Sequence, residues 1–324
     1  MTAYDTEEAT VRQRRRLRWV GLGALVLVIV LILLFDASRS RALDHAIRQA
    51  RAAGRPLTLQ EIEAARTVWP EDQNGAAVLL AIRTHLDDLK EQNPFDHLPW
   101  IGDTPHPPLG EQWPDDDHLA VRKFLKEVQP LLDQIDRLQG FPGGRLPFDP
   151  TADWMQIVSQ YDTAFIRTAY RIKSLQVLQR AMAGDNARLV DDLTTLLNIG
   201  RPLDEEPVLI GALTRIACDG QAVDTLEHVC ALAPLEPGQL IDIDRLLAGI
   251  ENTQRLYWGM LGERAISFGL TRNTPSTVLI KPGWKFDLTR LPGIRGWLMQ
   301  DQAAGLRLLN RLVDAAADPE NSLI

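Results

Sequence analysis

From Trp19 to Phe35 the chain reads WVGLGALVLVIVLILLF, without one charged or amide side chain. As a helix this run covers about 25 Å, slightly less than a hydrocarbon core of about 30 Å. Leu17 and the stem of Arg18 lengthen it at one end and Ala37 at the other, with Trp19 and Phe35 at interfacial depths. Residues 19–37 are therefore expected to cross a bilayer as a helix, because lipid tolerates only internally satisfied backbone. A core helix of a soluble domain would show a polar face, and this run has none. A cleavable signal peptide has a shorter apolar region followed by a small-x-small site. Here DASRSRALDHA follows, with only Ala37 and Ser38 as small residues near the boundary, so the segment reads as a retained signal anchor. No Glu interrupts the run, which sets aside a pilin-type leader.

Beyond the anchor the pattern changes to the three-and-four spacing of amphipathic helices. SRSRALDHAIRQARAAG continues as a polar helix to Gly54, a suitable residue for the position after a helix C-cap. In PLTLQEIEAAR, Thr58 and Glu61 form a capping box with Leu57 and Ile62 as its hydrophobic staple, and the helix is expected to stop at Trp69-Pro70. A helix follows over 75–90, with Val78, Leu79, Ile82 and Leu86 on one face. Residues 92–114 are rich in proline and read as an irregular ordered loop. Asp115 or Asp116 caps a helix through Leu138, which Pro130 should kink or split. GFPGGRLPFDP (140–150) marks a boundary between an N-terminal helical part (38–140) and a repeat-like part (151–316), with 317–324 as a tail.

In the repeat-like part Phe165, Ala169, Ile172, Leu175, Leu178 and Met182 recur at intervals of three and four. Gly184 ends that helix and Asp185 or Asn186 caps the next, where Leu189, Leu193, Leu196, Leu197 and Gly200 align. A third helix takes Leu209, Leu213, Ile216, Gly220, Val223 and Cys230 as its apolar face. Helices over 238–252 with 256–270, and over 297–316, complete the chain. Thr277–Ile280 has the composition of a short strand but no evident partner. Helix starts fall about every 22 residues, so a pair repeats in about 45, near the HEAT-like period. The expected fold is all-α, with one transmembrane helix before antiparallel, stacked α-hairpins of TPR or HEAT type.

Charge adds orientation. Residues 1–18 carry five arginines against three acids, a net +2, which leaves −10 for the rest of a chain that totals −8. The basic tail (1–18) should stay in the cytoplasm and the remainder lie outside, with Arg39 and Arg41 diluting the asymmetry. An acidic domain repels phosphate backbones, so no nucleic-acid partner is expected. With 324 residues, 45% of them hydrophobic, a sizeable core can form.

Candidate chemistry is sparse. Cys218 and Cys230 sit twelve residues apart on one helix, about 18 Å, too far for a disulfide unless the helix breaks. His97, His106 and His118 lie near Asp96, Asp103, Asp115 and Asp117, the composition of a metal-binding loop in the wrong spacing for a known ligand motif. His45, His85 and His228 stand alone on helices. No GxSxG, SxxK, HExxH or GxxxxGK[ST] occurs, and no cofactor is implied. Glu263 and Arg264 place a carboxylate and a guanidinium in an apolar helix, and such charges need partners. Trp100, Trp113 and Trp284 sit on loops, either lining a binding surface or anchoring the loops to the helices.

The runs GRPLTLQEIEA, PEDQNGAAVLLAI, AMAGDNARLVDDLTTLLNIGRPLDEEPVLIGALTRIA and LGERAISFG resemble a family of single-anchor, helix-rich membrane proteins of planctomycete-type bacteria. No activity or catalytic residue is assigned to that family, so the resemblance, over most of residues 44–316, implies the anchor and the α-hairpins alone. The functional expectation is a non-enzymatic interaction or scaffold module that binds a peptide or protein. The alternative is a tethered hydrolase or metal-dependent enzyme built on loop 92–118, and a third reading is an envelope-structure protein that self-associates.

Overall fold

The computed structural model describes residues 3–92, 94–101, 107–152, 156–157, 162–250, 254–273, 277–281, 284–287 and 294–318; within these, side chains are described from Trp19 on, except Gly21 and 270–298. Among the described residues the regular structure is helical apart from one two-stranded hairpin, and the chain forms two compact units.

The first unit takes Met1–Arg55 and Ser267–Arg311. Its helix α1, Ala3–Ala52, runs without a break for about 75 Å. It is long and apolar enough to cross a membrane, and its apolar window buries no side chain. Gly54 closes it as expected, at φ +68°, where a side chain would be strained, with its N–H donating to the Arg51 carbonyl at 2.9 Å. The strand foreseen at 277–280 finds its partner: β1 (Thr277–Lys281) pairs antiparallel with β2 (Trp284–Asp287), Thr277 opposite Asp287.

The second unit takes Pro56–Ile266 and Leu312–Ile324. Helix α2 (Leu59–Ala65) starts at the capping box: Thr58 Oγ1 accepts from the Glu61 amide at 3.2 Å, and the Glu61 carboxylate accepts from the Thr58 and Leu57 amides. Leu57 and Ile62 are fully buried, as a staple requires. The helix ends at Ala65, short of Trp69, whose indole sits against Gly143, where any side chain would collide with the ring. Asn74 caps α3 (Gly75–Ala81) through the Ala76 amide and also accepts from the Arg145 amide at 2.9 Å. That pins the 140–150 segment beside α3.

The helix foreseen over 75–90 is two helices. Ile82 leaves the α conformation at φ −103°, ψ 2°, and α4 (Arg83–Gln92) starts afresh. No Gly or Pro marks this break; Ile82 keeps its side chain buried through the change of direction. Pro130 does split the next helix, into α5 (Asp115–Glu127) and α6 (Gln129–Asp136), with Pro130 in the first turn of α6, where its missing N–H costs nothing.

Helix α7 (Ala164–Met182) is the axis of this unit, with Lys173, Ser174 and Gln176 buried along with its apolar face. It is followed by α8 (Leu189–Ile199), α9 (Leu209–Leu232), α10 (Pro237–Ala248) and α11 (Gln254–Asn273), which from Ser267 on belongs to the first unit, as does α12 (Ile294–Ala317) up to Arg311. Gly184 has the left-handed φ, +73°, that ends α7. The expected cap at Asp185 or Asn186 does not form. Arg188 holds the cap position of α8, and Asn186 is spent on the α10 side, its carbonyl accepting from Gln239 Nε2 at 3.0 Å.

The largest departure concerns α9. Leu213, Ile216, Val223 and Cys230, expected inside, face solvent, while Thr214, Arg215, Cys218, Asp219, Ala222 and Thr225 are buried. Helix α11 packs on the start of α9 with no room to spare, since a Cβ on Gly262 would come within 1.4 Å of the Pro207 carbonyl oxygen. Gly262→Ala is accordingly expected to destabilise the unit by about 3 kcal/mol or more, whereas Gly220→Ala, with open space around it, should stabilise α9 by about 0.5–1 kcal/mol. Urea melts of the two variants check this.

Candidate functional site

The loop that sequence reading marked for a metal is held by packing. Trp100 and Trp113 are each only 4% exposed, so they anchor the loop rather than line a surface. The His228 ring stands edge-on to Trp100 at 4.7 Å, and Trp100 holds this place at φ +73°, an uncommon conformation for a bulky residue. His118 lies 3.3 Å from Gln179 Oε1 and packs its ring near Trp113. His97 is exposed; Asp103 and His106 lie outside the described residues. Among the described residues no three His, Cys, Asp or Glu side chains converge as a metal site. Side-chain placement is not described for Trp284.

Three buried charge clusters sit elsewhere. Lys173 Nζ, wholly buried on α7, is fully satisfied by Asp136 (2.5 Å), Gln176 (2.7 Å) and Asp192 (2.7 Å), and Arg180 completes Asp192 at 2.5 Å. Arg66 bridges Glu63 (3.0 Å) and Glu206 (3.2 Å), with Arg145 also on Glu63. Burial dominates at Glu206 and pushes its carboxyl up to about 7, against the pull of Arg66.

The third cluster ties four segments together. Arg215 of α9 reaches Asp204 Oδ1 (2.9 Å), Asp219 Oδ1 (2.8 Å) and the Leu197 carbonyl (3.3 Å). Arg255 of α11 meets the same two carboxylates. Gly200 makes the space, because a Cβ there would lie 2.2 Å from the Arg215 guanidinium. Burial works against the Arg215 charge, but Asp204 and Asp219 outweigh it and raise its pKa; burial, then Arg215 itself, lower that of Arg255. Tyr170 closes the cluster from α7, its phenol held neutral by burial. Carboxylates and cations in these clusters are matched within the fold among the described residues. They are cement. Glu263 and Arg264 follow the same rule: Arg264 donates to the Pro56 carbonyl at 2.6 Å and Glu263 accepts from the Leu209 amide at 3.4 Å.

The thiols are equally quiet. Cys218 is buried, which pushes its pKa up to about 12, and Cys230 is exposed on the same helix, both free.

A groove of about 640 Å³ lies between α4 and the α5–α6 break. Ile82, Leu89, Val128, Pro130 and Leu131 form its apolar floor. His85, Asp88, Gln92, Glu127 and Gln134 edge it, so the rim carries two carboxylates and no lysine or arginine. Both walls lie where a helix is interrupted, at Ile82 and at Val128–Pro130. Its size suits a side-chain-rich ligand. Sequence reading saw the Pro130 break but not the groove, because the Ile82 break carries no Gly or Pro signal.

Comparison with family models, curated proteins and solved structures finds no match to this chain.

Glu206 gives a pH signature. Its folded pKa lies above the ordinary carboxylate value of 4.5, so its contribution is complete below that value and is lost as pH rises through about 7. Glu206→Gln should therefore remove part of the stability loss between about pH 5 and pH 8, leaving the variant about 5 °C above the native chain at the alkaline end. Thermal melts followed by circular dichroism across that range decide it.

Proposed function

We propose that this chain is a membrane-tethered, non-enzymatic interaction module, held by α1 in an inner membrane with its folded region outside the cytoplasm. Its groove between α4 and α6 receives a peptide segment of another protein that carries apolar side chains and a positive charge. The groove's apolar floor beneath an acidic, cation-free rim is the observation that carries this reading. Apolar floors supply affinity, and carboxylates on the rim select a basic ligand and exclude an acidic one. The location rests on the arginines before the apolar run and the acidic balance after it. We also read α7, α8 and α9 as hairpins stacked in the manner of helical repeats, an arrangement suited to binding extended segments.

The test uses sealed membrane vesicles of both orientations and two fluorescent peptides of equal apolar content, one with lysines and one with glutamates. The lysine peptide should bind right-side-out vesicles alone, about tenfold more tightly than the glutamate peptide, and Asp88→Lys with Glu127→Lys should reverse that preference. Binding to inverted vesicles only would overturn the topology. Binding to neither, or binding indifferent to Asp88 and Glu127, would overturn the groove.

A further inference from the structure

Charge divides along the same line as the two units. Beyond the apolar run, the first unit holds residues 36–55 and 267–311, where twelve lysines and arginines face four aspartates and no glutamate, a net +8. The second unit, 56–266 with 312–324, holds eighteen lysines and arginines against thirty-six acids, a net −18. Charges of one sign repel one another within a unit, so an excess of this size calls for a partner of the opposite sign.

The cations fall on two elements. On α1, Arg41 and Arg48 stand seven positions apart, hence on one face, and both are exposed, with Asp44 the acid between them. The opposite face is taken up by packing, since Ala46 and Ala50 are buried. Along the helix axis Arg41 lies about 6 Å and Arg48 about 16 Å beyond Ala37, where the apolar span ends. A headgroup layer is about 5–7 Å deep, and its charge acts about 10 Å further at 0.1 M salt, so both arginines lie within reach of it. On the hairpin, Lys281 stands opposite Trp284 at the last paired position of the two strands, and Lys285 follows Trp284, opposite Leu279. The one acid of the strands, Asp287, pairs with Thr277 at the far end. One end of the hairpin thus brings two lysines and an indole together, the residue types favoured at headgroup depth.

We propose that this unit rests on anionic phospholipid headgroups of the bilayer that α1 crosses, through Arg41 and Arg48 of α1 and through Lys281 and Lys285 of the hairpin. Two observations choose that occupant. The first is continuity: the apolar run of α1 and the exposed Arg41 belong to one unbroken helix, so a bilayer around the run places its headgroups beside the cations without a second encounter. The second is charge. A freely diffusing polyanion such as a nucleic acid meets the −18 of the second unit as well as the +8 of the first, whereas a bilayer is held at the first unit by the anchor itself. Each basic side chain held near an anionic surface strengthens the association about fivefold. The inference takes from the proposed function only the crossing by α1, and depends neither on the peptide groove nor on the side of the membrane.

The test uses the full chain in nanodiscs that mix phosphatidylcholine with phosphatidylglycerol, with a trace of either lipid spin-labelled on its acyl chain. Electron paramagnetic resonance then gives the preference of the lipid shell for the anionic kind. The native chain should prefer phosphatidylglycerol about threefold or more, and 1 M salt should remove that preference. The arginines at 12–18 also flank the apolar run and stay untouched in every variant. Lys281→Glu with Lys285→Glu should cut the preference by about half or more, and so should Arg41→Glu with Arg48→Glu, while Lys281→Arg with Lys285→Arg should keep it. Circular dichroism reports that each variant stays folded. A preference that survives both charge reversals, or one indifferent to salt, would overturn the headgroup assignment. Charge reversals that leave the lipid preference intact but split a larger assembly into single chains, read by light scattering, would give the place to the acidic unit of a second copy and overturn it as well. Release of the native chain from vesicles by alkaline carbonate would remove the crossing by α1, and the inference with it, whatever the lipid preference.

Discussion

The guanidinium of Arg215, 1% exposed, sets the arrangement of the larger unit. A charge taken that far from water must be matched by carboxylates and acceptors close by, or it unfolds the structure that buries it. Asp219 supplies one carboxylate from the next turn of α9, and Asp204 supplies the other from the turn before it. Two carboxylates around one guanidinium leave negative charge over, and Arg255 from α11 balances it. Leu197 and Gly200 at the end of α8 give an acceptor and the space. One buried cation thus fixes the rotation of α9, the path of the 200–204 turn and the seat of α11.

The rotation has a consequence for the surface. With the Arg215–Asp219 face inside, the Leu213–Ile216–Val223 face has nowhere to go but out. Elsewhere in the unit, the groove over Ile82 and Leu131 lies beside two helix breaks.

How far the sequence revealed this depends on how local each signal is. The Thr58–Glu61 capping box, the Pro130 break and the left-handed glycines at 54 and 184 involve residues within a few positions of each other, and all were legible. The helical character and the long apolar α1 were legible as well. The facing of α9 was not, because periodicity groups residues on one side of a helix without saying which side is buried. The i, i+4 pair Arg215–Asp219 beside Thr214 and Cys218 formed a competing stripe, yet the carboxylate and guanidinium that draw it inward come from Asp204 and Arg255, distant in sequence. The loop tryptophans stood open between surface and anchor for a similar reason: what settles Trp100 as an anchor is its cover by His228, which lies 128 positions on. The groove escaped notice because one of its walls depends on Ile82, which carries no breaker signal.

Comparing the stabilities of Arg215→Met and Leu213→Ser is the most direct test of the claim that the buried charge, not the apolar stripe, organises this unit. Measured by urea denaturation in dilute detergent, Arg215→Met is expected to lose about 3–5 kcal/mol, because Asp204 and Asp219 are left short of a cation, and Leu213→Ser to change stability by less than about 0.5 kcal/mol. The reverse order, a tolerant Arg215 and a costly Leu213, would mean that α9 sits the other way round and would contradict the account.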